Sequence, residues 1–356
     1  MSMSTRSDRK ILAVLFVLEL LLFLAFYRRE IAWYPPQNFD QAGLLCSAYS
    51  LEEGALAHGL GEVWSALWRP EHANGLLLPI EGALSGLLLG GTRLPQLLLN
   101  YLFFIAIQAA LFYTAFAVFG RRAYGYAAVG LILCQLTPWF WAGGLFDFRM
   151  DFCAYCLFGI WTCSVMRSKI FLSRPWAICS GLAGAFLVLH RFLTITFLVG
   201  ISGGLAALFL FLRFLGRSDN ALTGRMSRRL FHLALCLGTI AAIIVPIFFL
   251  NRSAIYDYYV GLHAAGDQRF VRAREFGITD LAGHLLYYPH SIIADHWGNW
   301  FIVGSLALIA CAIVTRLFRA SVGSAKKTFS SDSEAILLQF IFLAAAMFLP
   351  VAILTI

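Results

Sequence analysis

Repeated apolar runs, each close to the length needed to cross a bilayer, constrain this chain more than any other feature. A helix spans the hydrocarbon core with about 20 apolar residues. Runs of that kind lie at 10–27, 94–119, 123–145, 152–166, 176–189, 192–214, 230–250, 297–316 and 335–356, with 152–166 and 176–189 the shortest. Only 13% of the 356 residues are charged, 32 are Phe, and the mean hydropathy is +0.77. A water-soluble domain of this length has too little interior to hide that much apolar surface. The expected fold is an all-α polytopic membrane protein of about nine transmembrane helices, one integral membrane domain over 1–356.

A further apolar run, 76–91, contains Pro79, Glu81 and the pair Gly90-Gly91. It reads as a helix lying at the interface. With that run not spanning and Met1 in the cytoplasm, the positive-inside rule holds along the whole chain. Cytoplasmic loops then carry seventeen of the 27 Lys and Arg and only Asp8, Asp219, Asp332 and Glu334 of the 19 acidic residues. This orientation accounts for the net charge of +8 through contact with anionic membrane lipids. Nucleic acid is not an expected partner, because the basic residues are spread over five loops. The segment 11–27 reads as an uncleaved signal anchor. The sequence ends at Ile356 within an apolar run, which fits either a last helix or a piece of a longer chain. Seven of the eight Cys lie in apolar runs, where Cys packs as a small hydrophobe.

Soluble chemistry is therefore expected in two external loops, 28–93 and 251–296, and a short one near 146–151. In the first, Pro35 and Pro36 stop any helix leaving the membrane. Asn38 is placed to cap a following helix with Asp40 in its first turn. Leu44, Leu45, Ala48 and Leu51 then share one side, an amphipathic pattern suited to the interface.

Six short motifs occur in order: Asp40-Gln41-Ala42, Arg69-Pro70, the run ending Gly90-Gly91, Arg93-Leu94-Pro95, Phe119-Gly120-Arg121-Arg122-Ala123 and Thr137-Pro138-Trp139. In that order and spacing, over roughly residues 10–215, the chain resembles the GT-C superfamily of membrane glycosyltransferases. The resemblance is to the protein O-mannosyltransferase and lipid A aminoarabinose transferase group. It implies a GT-C-like bundle and transfer of a sugar from a polyprenyl-phosphate donor to a glycan, lipid or protein acceptor outside the cytoplasm. Asp40 is then the candidate base, Arg69 a phosphate ligand, and Asp151 the acidic residue at the outer start of the fourth spanning helix. His190 and Arg191 occupy the hairpin where the family often has Lys. The family's Asp-Glu is Asp40-Gln41 here, its Lys is Arg69, and its large soluble C-terminal domain has no counterpart in this sequence.

The residue types suit that chemistry on their own terms. Glycosyl transfer needs a carboxylate to take the acceptor's proton and cations to stabilise the departing phosphate. The stretch around 146–151 supplies Asp147, Arg149 and Asp151, which read equally as a surface ion cluster. Two carboxylates leave a divalent metal possible but weakly signalled, and no cofactor is firmly implied. His190 and Arg191 at a tight membrane turn fit phosphate binding or snorkelling. In the last loop, Arg272, Arg274 and Glu275 suit a phosphate or sugar hydroxyl, and Tyr288 among other Tyr rings offers a stacking face; an aromatic interfacial belt explains the same residues. His290, Asp295 and His296 match no standard zinc spacing. Glu19, within the first apolar run, has no assigned role. Two rivals stand beside the transferase: a transporter or flippase of a lipid-linked or anionic substrate, and an inactive partner on the same scaffold.

Overall fold

The computed structural model describes residues 4–36, 39–140, 143–215, 220–275, 278, 280–299, 301–307, 338–339 and 341–343. Every regular element among them is helical. Helix α1 (Ser4–Phe26) runs on through a wider turn at Tyr27–Ile31. Three helices follow at one end of the bundle: α2 (Phe39–His58), α3 (Gly61–Ala66) and α4 (Leu77–Leu89). Then come α5 (Arg93–Phe119), α6 (Arg122–Cys134), α7 (Met150–Arg167), α8 (Arg174–His190), α9 (Thr194–Leu215) and α10 (Asn220–Leu250). Short helices α11 (Arg252–Tyr256), α12 (Gln268–Glu275) and α13 (Leu281–Ser291) lie in the last loop.

Among the described residues, four helical stretches are long and apolar enough to cross a membrane: Ser7–Ile31, Arg93–Phe119, Thr194–Leu215 and Ala221–Leu250. They correspond to four of the nine apolar runs. Three other runs form shorter helices. The run 123–145 is helical only as far as Cys134 in α6, because Gln135 turns extended and Pro138 follows in a short 3-10 turn. Helices α7 and α8 have 18 and 17 residues, about 26 Å at 1.5 Å per residue, against a core of about 30 Å. Most of the run 335–356 and half of 297–316 fall outside the described residues. Helix α4 has 13 residues, about 20 Å, too short to span as a regular helix. Seven of its residues are buried.

Local sequence sets the ends of these helices. Helix α5 follows an extended Thr92, carries Pro95 in its first turn, and stops at Gly120 in the left-handed region (φ 70°). Pro175 opens α8, and an extended Arg191 closes it. Between α7 and α8, Lys169, Ile170 and Phe171 have φ of 53°, 53° and 64°, unusual for residues with side chains. The buried Arg229 of α10 donates to the carbonyls of Lys169 and Ile170 and holds that turn.

Among the described residues two large core clusters, and a small third one of Leu12, Phe112 and Val129, fill the interior. One joins α7, α8, α9 and α10 through Trp161, Phe192, Leu205, Phe209 and Ile240. The other joins α1, α2, α5 and the start of α7 through Phe23, Ala48, Phe104, Phe148 and Phe152. Outward-facing Leu21, Leu22, Phe211, Phe214 and Phe249 are exposed, as expected where lipid is the solvent.

Hydrogen bonds sort the helix ends into two sets. At one end, Arg93 donates to the carbonyls of Ile31 and Tyr34, Leu76 N–H to Leu189 O, and Phe192 N–H to Asn74 O. At the other, Arg122 pairs with Asp8 at 3.2 Å and Arg167 donates to Tyr113 O. Successive helices thus alternate in direction, and the loops 27–36, 59–92, 135–149 and 190–193 gather at one end.

Candidate functional site

The site is built on a loop held from below by α5. Gln96, Asn100 and Gln108 recur at spacings of four and eight and are fully buried on one face of α5. Gln96 donates to Gly82 O and fixes α4. Asn100 donates to Leu145 O at 3.1 Å and Asp147 O at 2.9 Å. Asn100 thereby sets the backbone that carries Asp147. These amides escaped sequence reasoning; a row of amides at helical spacing inside an apolar run is the signal that marks them.

Arg149 bridges two carboxylates. Its Nε lies 2.7 Å from Asp147 Oδ2, and its Nη1 donates to Asp40 Oδ2 at 3.1 Å. Asp147 is 2% exposed and also accepts the Gly143 N–H at 2.6 Å. Burial pushes its carboxyl above the ordinary range, against the opposing pull of that N–H and of Arg149. Asp40, at the start of α2, is 67% exposed, so Arg149 holds a buried carboxylate on one side and a solvent-facing one on the other. Gly143 leaves room for this: a Cβ there would come within 3.2 Å of Arg149 Nη2 and 3.6 Å of Asp151 Cβ. Gln41 is buried and donates to Phe146 O at 3.2 Å. Gln41 therefore ties α2 to the same loop.

Asp151, in the first turn of α7, pairs with Arg191 at 3.2 Å. Both line the mouth of a cavity of about 330 Å³ whose walls are Ala154, Phe158, Leu193 and Phe197. Tyr155 and Phe158 also line a second apolar cavity of about 310 Å³ between α5, α6 and α7. The two cavities share Tyr155 and Phe158 as walls, and the first has a charged rim and a largely apolar floor. Tyr259 stands near the rim; burial pushes its hydroxyl up to about 12, and Arg191 pulls it back down.

Arg191 is placed by Asn74. The Asn74 carbonyl accepts the Phe192 N–H, its Oδ1 accepts the Tyr259 hydroxyl at 2.7 Å, and its amide donates to Tyr258 at 3.1 Å. Gly75 fits because a Cβ there would sit 2.7 Å from the His190 carbonyl carbon.

Not all sequence candidates join this cluster. His190 is fully buried. Its Nδ1 meets Phe186 O at 2.9 Å and its Nε2 meets Glu81 at 3.0 Å. It is turned away from the rim; with Nδ1–H given to a carbonyl, its Nε2 and the Glu81 carboxylate share one proton between them. Glu81, a lone carboxylate within an apolar run, is a site residue that sequence reasoning passed over. Arg69 donates to Glu62 and to Ser65, so its charge is paired beside α3. Arg274 and Glu275 are exposed on α12. Arg272 and Tyr288 belong to α12 and α13, and their side chains lie outside the described residues.

Among the described residues no group of three or more His, Cys, Asp or Glu is arranged to hold a metal. The place between Asp40 and Asp147 where a cation would sit is filled by the Arg149 guanidinium. No family model, no curated protein and no solved structure matches this chain.

Proposed function

We propose that this chain is a GT-C-like glycosyltransferase of about nine spanning helices that takes a sugar from a polyprenyl-phosphate donor. The observation that carries the reading is the Asp151–Arg191 pair at the mouth of an apolar groove. A lipid phosphate has that shape of chemistry: an anion joined to a long apolar chain. Arg191 would bind the phosphate, and the prenyl chain would lie past Tyr155 and Phe158 toward α5 and α6.

Asp40 serves as the base in this reading. It is the most exposed carboxylate of the cluster's ion pairs, so an acceptor hydroxyl can reach it. Arg149 orients it, and buried Asp147 orients Arg149 in turn. The acceptor oxygen attacks the anomeric carbon as its proton passes to Asp40. The bond to the phosphate breaks, Arg191 stabilises the released lipid phosphate, and direct attack inverts the anomeric centre. His190 and Glu81 act as positioning residues beneath the α8–α9 turn. The acceptor is a glycan, lipid or protein on the extracytoplasmic side, consistent with the basic residues collecting at the opposite end of the bundle.

The test is mass-spectrometric product analysis with protein in lipid nanodiscs. A panel of polyprenyl-phosphate sugars and an envelope extract supply donors and acceptors. Sugar transfer with release of polyprenyl phosphate by the parent, lost in Asp40→Asn, supports the reading. Donor binding without release would favour the inactive partner, and movement of intact donor across the bilayer would favour the flippase. Full turnover by Asp40→Asn would remove Asp40 as base.

A further inference from the structure

Two ion pairs stand near the start of α7, and they differ in kind. Arg149 and Asp147 are 16% and 2% exposed, closed off by packing. Arg191 and Asp151 are 26% and 42% exposed and open onto the cavity that both line. Asp151 Oδ1 lies 3.2 Å from Arg191 Nη2. A pair this open to solvent adds little to stability, so holding the fold is a weak reason for a carboxylate at that point.

Each charge has its own support. Asp151 lies in the first turn of α7, at the positive end of that helix, and Arg191 closes α8 at its negative end. Arg191 is also fixed through its backbone: Phe192 N–H donates to Asn74 O at 2.8 Å, and Thr194 Oγ1 donates to Arg191 O at 2.7 Å. The pair can therefore open without disturbing the elements that carry it.

An anion that reaches the Arg191 guanidinium either displaces the Asp151 carboxylate or sits beside it. Arg191 attracts the anion and Asp151 repels it, and the repulsion grows with the anion's charge. The two lipid phosphates of the proposed reaction differ in charge. The donor is a phosphate diester with a single negative charge. The released polyprenyl phosphate is a monoester, which carries about −1.5 to −2 at neutral pH. Asp151 thus opposes the product more strongly than the donor.

We propose that Asp151 is a charge gate on Arg191. It competes with the lipid phosphate for the guanidinium, admits the singly charged donor and drives off the more highly charged product. The inference rests on Arg191 as the phosphate ligand of the transferase reading. It gives Asp151 a role in product release, while the bond-making step stays with Asp40.

The probes are undecaprenyl phosphate and its glucosyl diester. Each is titrated at neutral pH into the protein in phosphatidylcholine nanodiscs, in phosphate-free buffer without acceptor, with native mass spectrometry as readout. Removing a unit charge from the neighbourhood of another at about 4 Å in water is worth about fivefold in affinity. Asp151→Asn is therefore expected to tighten the diester about fivefold and the monoester about tenfold or more. A gain of that kind cannot come from misfolding. Asp151→Glu keeps the charge and should bind both probes as the parent does. Arg191→Gln should weaken both; if it binds them as the parent does, the phosphate ligand itself is misassigned and the gate falls with it. If Arg191→Gln weakens both while Asp151→Asn gives no gain, or an equal gain for the two probes, the gate is overturned and Arg191 keeps its phosphate.

Discussion

Replacing Arg149 with Leu tests the central claim about the site, that a buried carboxylate is held in place by one guanidinium. The change leaves Asp147, 2% exposed, with the Gly143 N–H at 2.6 Å on Oδ2. Its Oδ1 has no partner among the described residues. Breaking a buried ion pair from one side costs about 3–5 kcal/mol, because the remaining charge is stranded. The lost contact to Asp40 adds little, since that carboxylate is mostly solvated. The penalty must depend on pH. Burial already holds the Asp147 carboxyl above its ordinary range, and losing the cation raises it further. A carboxyl with a raised folded-state value binds its proton more tightly folded than unfolded, so stability falls as pH rises from the unfolded-state value to the folded-state one. The variant should match the parent up to the pH at which the parent's own folded-state carboxyl ionises and then fall behind it, by about 1.4 kcal/mol for each pH unit until the variant's carboxyl ionises as well. Adding Asp147→Asn removes the charge and should restore much of the loss. Thermal unfolding in detergent across a pH series measures all three proteins. The reasoning fails if Arg149→Leu lies within about 1 kcal/mol of the parent at neutral pH. It fails equally if the deficit is the same at every pH, or if the double variant is no more stable than the single one.

Three further outcomes are expected. Gly75→Ala pushes a Cβ against the His190 backbone and strains the bonds Leu76 N–H to Leu189 O and Phe192 N–H to Asn74 O; at about 1 kcal/mol each, thermal unfolding should show a loss of roughly 2–3 kcal/mol. Gly130→Ala on α6, with open space around it, is the matched control and should be neutral or slightly stabilising. Arg229→Met removes two donors from the left-handed turn at 169–171 and should cost about 3–5 kcal/mol by denaturant unfolding; an unchanged midpoint would show the turn to be self-supporting. Glu52 is buried against Gly86 and Gly91, and burial raises its carboxyl. Its ionisation therefore opposes folding as pH rises, so Glu52→Gln should melt higher than the parent near pH 8 and equal to it near about pH 4; no difference at either pH would refute that assignment.

Hydropathy and helix punctuation were legible in the chain because they are local. Arg93-Leu94-Pro95 opens α5 and Gly120 closes it, and both signals act within a turn or two. The lipid-facing character of the long helices follows from composition alone. Basic residues recur in every second loop of the chain, and the bonds at the two ends of the bundle show successive helices alternating in direction. The membrane length of each run was less legible. Gln135 and Pro138 cut 123–145 short, a boundary that an average over apolar residues smooths away.

Side-chain partnership was decided only by the tertiary structure. Asp40 and Arg149 stand 109 residues apart, as do Glu81 and His190, and Asn74 and Tyr259 are 185 apart. Sequence marked Asp147, Arg149 and Asp151 as one cluster, yet packing divides them. Arg149 turns to Asp40 and Asp147, while Asp151 turns to Arg191. His190 and Arg191 are neighbours in sequence and part company for a similar reason: α8 ends between them, so one ring is buried under Glu81 and the next side chain reaches the groove. A residue's type sets which partners it can satisfy; which partner lies within hydrogen-bond reach depends on helices brought together by burial of faces far apart in the chain.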